Sequence, residues 1–126
     1  MKVVRGYRDL EVWGRSVDLV IEVYRATETF PKREMYSLTA QVRKAAVAVP
    51  SNIAEGHGRE HLGDYRHHRS IANGSLMEVE TQVILASTLG LLPPDVELGL
   101  LERSAAVGRM LAGLTRSIKR IPRARP

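Results

Sequence analysis

Apolar residues recur at steps of three and four along most of the chain, and turn-forming residues interrupt this pattern at three places. Such steps return to one face of an α-helix, whereas a half-buried strand would alternate apolar and polar residues. The pattern predicts four helices, at about 9–28, 37–56, 64–89 and from Asp95 to just before Pro122. Because the connections are short, it favours an all-α, antiparallel up-down-up-down four-helix bundle.

The second predicted helix contains the segment around which the other helices are expected to pack, Ala45 to Gly56. Pro50 lies inside its apolar stripe and removes one backbone hydrogen bond, at a cost of about 3 kcal/mol unless neighbours compensate. We therefore expect a kink just before it. Asn52 lies at the edge of the stripe and needs hydrogen-bond partners, while Ser51 and Glu55 lie on the polar side.

The first predicted helix is apolar over about half of its circumference, in two adjacent stripes. The members of the wider stripe are Leu10, Trp13, Val17, Val20, Ile21 and Tyr24. The second stripe holds Val12, Leu19 and Val23. A lone bundle needs less apolar surface than this, so the second stripe is predicted to be an oligomer interface. Asp9 is predicted to be the N-cap of this helix. The alternative is that this stripe packs on the fourth helix of the same chain.

The third predicted helix places small and acidic residues within an apolar pattern. Gly74 and Ser75 in mid-helix cost about 1 kcal/mol of helix propensity, which predicts a close approach by the alanines of the second helix. Glu80 lies near the centre of the apolar stripe, where a carboxylate has to be hydrated or paired. We expect it to meet Arg43 or Asn52 in a buried polar contact that sets the register of the helices.

The composition limits the class of protein. The chain has 126 residues, enough for one domain, and its apolar residues are mainly aliphatic. It has no cysteine, which excludes disulfides and thiolate metal sites and suits a reducing cytoplasm. Neither a secretory leader nor an apolar run of membrane-spanning length is recognised, so a cytoplasmic protein is expected.

Positive charge is concentrated at the end of the chain. Lys and Arg balance Asp and Glu up to Thr115, and the excess of five comes from the residues that follow. Residues 1–118 are predicted to form the bundle and 119–126 a flexible basic tail. In an antiparallel bundle this tail approaches the start of the third helix, giving one basic pole that could bind phosphate backbones. The proposed contact residues are Arg66, Arg69, Arg116, Lys119, Arg120, Arg123 and Arg125.

Aromatic side chains for base stacking are nearly absent from this pole, apart from Tyr65, so sequence-specific recognition is not expected. The alternative interpretation is that the tail only improves solubility.

The four histidines invite an interpretation as metal ligands or catalytic residues. His57 and His61 have a helical spacing, but glycines flank this segment and the spacing need not be helical. His67 and His68 stand near Asp64, yet the other helices offer no facing glutamates to complete a bundle metal site. We expect a hydrated polar segment, with no metal, no cofactor and no catalytic residue, and hence a protein that is not an enzyme.

Three segments resemble a known family: PSNIAEG from Pro50, GSLMEVETQ from Gly74 and RDLEVWGRSVDLVIEVY from Arg8. They are similar to the bacterial four-helix-bundle proteins encoded in intervening sequences of 23S rRNA genes. Accessory variability proteins of diversity-generating retroelements are related to these in fold. The resemblance implies a ring-shaped homopentamer. The residues it implies as structural are Arg43, Pro50, Ser51, Asn52, Glu55, Gly56, Gly74, Ser75 and Glu80.

Two functions remain open from the sequence. The first is an oligomeric accessory protein that binds RNA or DNA through the basic pole and assists a partner such as a reverse transcriptase. The second is a structural or protein-interaction scaffold without a role in nucleic-acid binding.

Overall fold

The computed structural model describes the backbone of residues 6–59 and 61–120, and the side chains of 6–59 and 61–114. Within these ranges there are four α-helices and no strand. The helices are α1 (Glu11–Thr27), α2 (Leu38–His57), α3 (Leu62–Thr88) and α4 (Pro94–Arg120). Each helix contacts two others, in the cyclic order α1, α2, α3, α4 and back to α1. The prediction of an all-α protein is confirmed, and the architecture is consistent with a four-helix bundle.

The turn between α3 and α4 shows how local sequence ends one helix and starts the next. Gly90 has a φ of 77°, a left-handed conformation that glycine adopts without a steric cost. The N–H of Leu91 donates to the carbonyl of Ala86 at 2.8 Å, and the N–H of Gly90 donates to that of Ser87 at 3.0 Å. These two bonds form a Schellman motif. Pro94 then occupies the first position of α4, where its missing N–H costs nothing.

The start of α1 differs from the prediction. Asp9 belongs to a short 3₁₀ helix, Tyr7–Asp9, and Leu10 is the N-cap of α1, without a side-chain hydrogen bond at that position.

The second apolar stripe of α1 does not have the role predicted for it. Val12, Leu19 and Val23 are 4 %, 0 % and 1 % exposed and lie in the core of one chain. They are therefore not available as an interface between copies, and that prediction is wrong. Of the wider stripe, Leu10, Trp13 and Val20 pack against the core, whereas Ile21 and Tyr24 are exposed.

Two buried polar side chains lie on the same face of α1 as the second stripe. Ser16 and Thr27 complete the buried face of α1, and each hydroxyl donates a hydrogen bond to a carbonyl of its own helix. The Ser16 Oγ donates to Trp13 at 2.7 Å, and the Thr27 Oγ1 donates to Val23 at 2.8 Å. Since both hydroxyls are satisfied locally, they can lie in the core. A pattern of apolar residues alone omits these two positions and therefore understates how much of this face is buried.

The extensive contact between α2 and α3 confirms one part of the predicted close approach. Ser75 is buried and shares a surface depression with Ala45 and Ala48 of α2. Gly74 is exposed, and a Cβ at this position would have no neighbour within 4 Å. No close approach by another described residue therefore explains the glycine, and this part of the prediction is wrong. Pro50 is buried, and α2 continues through it to His57.

The end of α4 reaches into the predicted tail. The helix includes Lys119 and Arg120, two residues beyond the predicted end of the bundle, and residues 121–126 lie outside the described part. No helix in the described ranges has the length and apolar character needed to cross a membrane.

Candidate functional site

The segment from Asn52 to Gly56 faces the first turns of α3, and a polar contact joins the two helices there. The amide Nδ2 of Asn52 donates to the carbonyl of Ala48 at 2.8 Å, one turn earlier in α2. This bond directs the amide oxygen toward His68, whose Nδ1 lies 3.1 Å from it. Because the amide oxygen only accepts, Nδ1 of His68 carries the proton in this contact. The Asn52–His68 contact thus links two helices over a separation of 16 residues in sequence.

Gly56 makes this contact possible by allowing α3 to come close. A Cβ at position 56 would lie 2.9 Å from the Cβ of His68 and 3.4 Å from the carbonyl oxygen of Tyr65. The first distance is shorter than any normal carbon contact, so a side chain at this position would push α3 away. Gly56 is one turn after Asn52 on the same face of α2, and the two residues position α3 together.

Glu55 lies at the edge of the same contact. Its Oε2 is 3.8 Å from Nδ1 of His68, and its Oε1 accepts a hydrogen bond from Arg59 at 3.0 Å. Both members of the Glu55–Arg59 pair are about half exposed, so water screens their attraction and the pair adds little stability. The His68 side chain, in contrast, is only 14 % exposed.

Tyr65 and Arg69 extend the site toward α4. Together with Asn52, Gly56 and Leu114 they line a small cavity between the ends of the three helices. Burial raises the pKa of Tyr65, and the nearby positive charge of Arg69 partly opposes this. Burial also lowers the pKa of Arg69, partly opposed by Tyr65, while the charge of Arg66 lowers it further. Arg69 is half-buried and lines the cavity.

The structure contradicts the predicted contact of Glu80. Among the described residues, neither Arg43 nor Asn52 is hydrogen-bonded to it, and each is bonded to another helix or residue. Arg43 donates from Nε to the hydroxyl of Thr27 at 2.8 Å, and its guanidinium lies 4.6 Å from the ring centre of Tyr24. The expected single contact is thus replaced by two, one from α2 to α1 and one from α2 to α3.

The histidines are only partly the hydrated segment that the sequence predicted. His57 is the last residue of α2 and His61 is the N-cap of α3, so their spacing is not helical, as anticipated. His68 is not part of a hydrated segment, because its side chain is nearly buried and is hydrogen-bonded to Asn52. Two features of α2 could have suggested such a partner: an amide at the edge of the apolar stripe, and a glycine one turn later that leaves room for a helix.

Metal binding and catalysis would each require a particular cluster of side chains at the site. Across residues 6–59 and 61–114, no three His, Asp or Glu side chains lie together as a metal ion would need. The Asn52–His68 contact combines an amide with an imidazole, and no hydroxyl nucleophile is hydrogen-bonded to that imidazole within the same ranges. The arrangement holds helices together.

The predicted basic residues are only partly described. Arg66 is half-buried near the start of α3, three residues before Arg69. Arg116, Lys119 and Arg120 are part of α4, and their side chains lie outside the described residues. Arg123 and Arg125 lie wholly outside them.

Comparison with known proteins gives a clear family assignment. No curated protein matches the chain significantly. The profile of the family described as 23S rRNA-intervening sequence protein matches residues 8–113, which include all of α1, α2 and α3 and most of α4. The match thus covers the Asn52–His68 contact, Gly56 and the exposed Gly74. The chain belongs to the family of 23S rRNA-intervening sequence proteins.

Proposed function

We propose that this protein is a non-enzymatic, oligomeric accessory protein that binds the RNA or DNA backbone through a basic pole. The observation that supports this most is the small cavity that Tyr65 and Arg69 share with Leu114. At this cavity the start of α3 lies beside Leu114 of α4, and the five excess cations follow Leu114 in the sequence. Since a phosphate backbone attracts clustered cations by releasing counterions, this pole suits nucleic acid of any sequence.

The pole requires an antiparallel course of the helices, which three contacts support. Asn52 near the end of α2 meets His68 near the start of α3. Ser87 at the end of α3 donates to Glu97 at the start of α4, at 2.9 Å. Gly108 of α4 lies beside Leu76 in the middle of α3.

A ring-shaped homo-oligomer, a pentamer as the resemblance implies, would repeat the pole around one rim. We propose the outer face of α3 as its interface, because it is exposed and uncharged over five turns. Its members, at alternating steps of four and three, are Ser70, Gly74, Met77, Thr81, Ile84 and Thr88. This spacing is the heptad pattern of helices that pack on one another. An exposed glycine in mid-helix would also permit a close approach by another chain.

The proposal includes a cytoplasmic setting and a protein partner such as the reverse transcriptase of a retroelement. The basic pole would then present nucleic acid to the partner enzyme.

Nucleic-acid binding is tested by titrating labelled RNA and DNA at several salt concentrations. The variant replaces Lys119, Arg120, Arg123 and Arg125 by glutamine, which keeps the length of the chain. We expect the slope of log affinity against log salt to fall by about 0.9 for each cation that contacts duplex DNA. Arg15→Gln with Arg103→Gln is the control, because both residues are exposed and lie outside the proposed pole. Binding that is indifferent to salt and to the tail, together with a co-purifying protein, would instead favour the scaffold function.

Oligomerisation is tested by sedimentation of Met77→Glu and Ile84→Glu. A charge in the uncharged stripe should dissociate the assembly into units of 14.0 kDa, because it would be buried without a partner. Leu98→Glu, at an exposed position of α4, is the matched control and should leave the assembly intact. Sedimentation of the unaltered chain as a 14.0 kDa unit at micromolar concentration would contradict the oligomer.

A further inference from the structure

A second basic surface lies near the other end of α2. It is an open groove of about 510 Å³ between the end of α1, the connection after it and the first turns of α2. Tyr24, Met35, Tyr36, Arg43, Lys44 and Val47 are among its lining residues. Among the described residues its lining includes two cations and no carboxylate, so the groove favours an anionic ligand.

Aromatic rings distinguish this groove from the basic pole. Tyr36 is 92 % exposed, so almost none of its ring is covered by its own chain. Tyr24 is also exposed, and the guanidinium of Arg43 lies over its ring. Exposed aromatic rings beside cations are typical of surfaces that bind single-stranded nucleic acids, because bases stack on the rings while phosphates meet the cations.

Arg43 is held in a position suited to this role. Its Nε is bonded to Thr27, and the ring of Tyr24 supports the plane of the guanidinium. Within the described residues its two terminal nitrogens donate no hydrogen bond, and they remain able to bind a phosphate oxygen. Lys44, the next residue in sequence, is exposed at the same groove.

We propose that this groove binds single-stranded nucleic acid by stacking a base on Tyr36 and binding the adjacent phosphates through Arg43 and Lys44. The inference rests on the proposed function for the class of ligand, but it places the contact on a different surface with a different chemistry. A duplex keeps its bases stacked inside and cannot offer a base face to Tyr36. The groove therefore binds single strands in preference to duplexes, whereas a pole that contacts only phosphates does not require an unpaired strand.

The test measures fluorescence anisotropy of a labelled oligothymidylate, and of the same strand in a duplex, with the full-length chain. Tyr36→Ala should weaken binding of the single strand about tenfold and leave duplex binding unchanged. Tyr36→Phe keeps the ring and should bind within about twofold of the unaltered chain, since stacking needs no hydroxyl. Lys44→Gln should lower the salt slope for the single strand by about 0.7.

Two controls distinguish the loss of a stacking contact from a general effect of changing the surface or the fold. Leu98→Ala removes an exposed apolar side chain elsewhere and should leave binding unchanged. Because Tyr36 is exposed, Tyr36→Ala should unfold at the same temperature as the unaltered chain.

Two results would overturn the inference alone: single-strand binding that does not respond to Tyr36→Ala, or a Tyr36→Ala variant altered only in self-association or in binding a protein. A chain that binds neither strand form would overturn both this inference and the proposed function.

Discussion

Two polar side chains of α2 each reach a neighbouring helix 16 residues away, and their surroundings differ. Asn52 meets His68 where α3 packs so closely that position 56 has no room for a methyl group. Arg43 meets Thr27 beside an open groove. The comparison teaches that similar hydrogen bonds between helices can have different roles. The first is enclosed and holds the fold, while the second leaves a cation at a surface where a ligand can bind.

The largest expected effect is at Gly56. Gly56→Ala places a methyl group 2.9 Å from the Cβ of His68, and we expect the free energy of unfolding to fall by about 2 kcal/mol. Gly14→Ala is the matched control, because a Cβ there has no neighbour within 4 Å. It should leave stability unchanged or raise it by about 0.5 kcal/mol through helix propensity. Urea denaturation of both variants measures the difference, and equal midpoints would show that the α2–α3 contact is not tight.

The next effect concerns the enclosed bond. In a double-mutant cycle of Asn52→Ala and His68→Ala, we expect a coupling energy of about 1 kcal/mol, since each single change leaves a buried polar group without its partner. Additive changes in the free energy of unfolding would mean that the bond contributes nothing specific.

A double-mutant cycle of the Arg43–Thr27 hydrogen bond, beside the open groove, should give a smaller coupling energy. For Thr27→Val and Arg43→Gln we expect a coupling energy of about 0.5 kcal/mol, because water in the groove can replace the hydrogen bond that is lost. A coupling as large as that of Asn52 and His68 would remove the distinction between the two ends.

The smallest expected effect concerns Tyr65 and the dependence of the free energy of unfolding on pH under alkaline conditions. Because burial raises the pKa of Tyr65, the native state keeps the phenolic proton to higher pH than the unfolded chain does. The unfolded state then binds fewer protons, so the free energy of unfolding falls as the pH rises above about 10. Tyr65→Phe should make this fall shallower, measured by denaturation between neutral and alkaline pH. An unchanged slope would show that Tyr65 does not contribute.

Much of the architecture could be predicted from local patterns. Helical spacing interrupted by turn-forming residues predicted four helices, with the third ending near position 89 and the fourth beginning at Asp95, close to the observed bounds. The family was recognised from the segments around Pro50 and Gly74, and the profile match confirms it.

The candidate site was predicted less well, for a physical reason. Asn52 was expected to need a partner, yet Glu80 was chosen because the spacing within one helix cannot reveal which residue of another lies opposite. Arg43 was likewise joined to the wrong helix. The role proposed for Tyr36 could not be predicted from the sequence. A ring in a connecting segment follows no periodic pattern, and its exposure depends on the helices around it.

The sequence by itself determined that this protein is helical, where most helices begin and end, and that its charge excess lies after Thr115. These properties depend on residues that are neighbours along the chain. Only the tertiary structure decided which side of α1 is buried, because Ser16 and Thr27 satisfy their hydroxyls within the helix and so count as core residues. It also decided that His68 bonds Asn52 and that Tyr36 stands uncovered beside Arg43 and Lys44, because such contacts exist only after the helices have packed together.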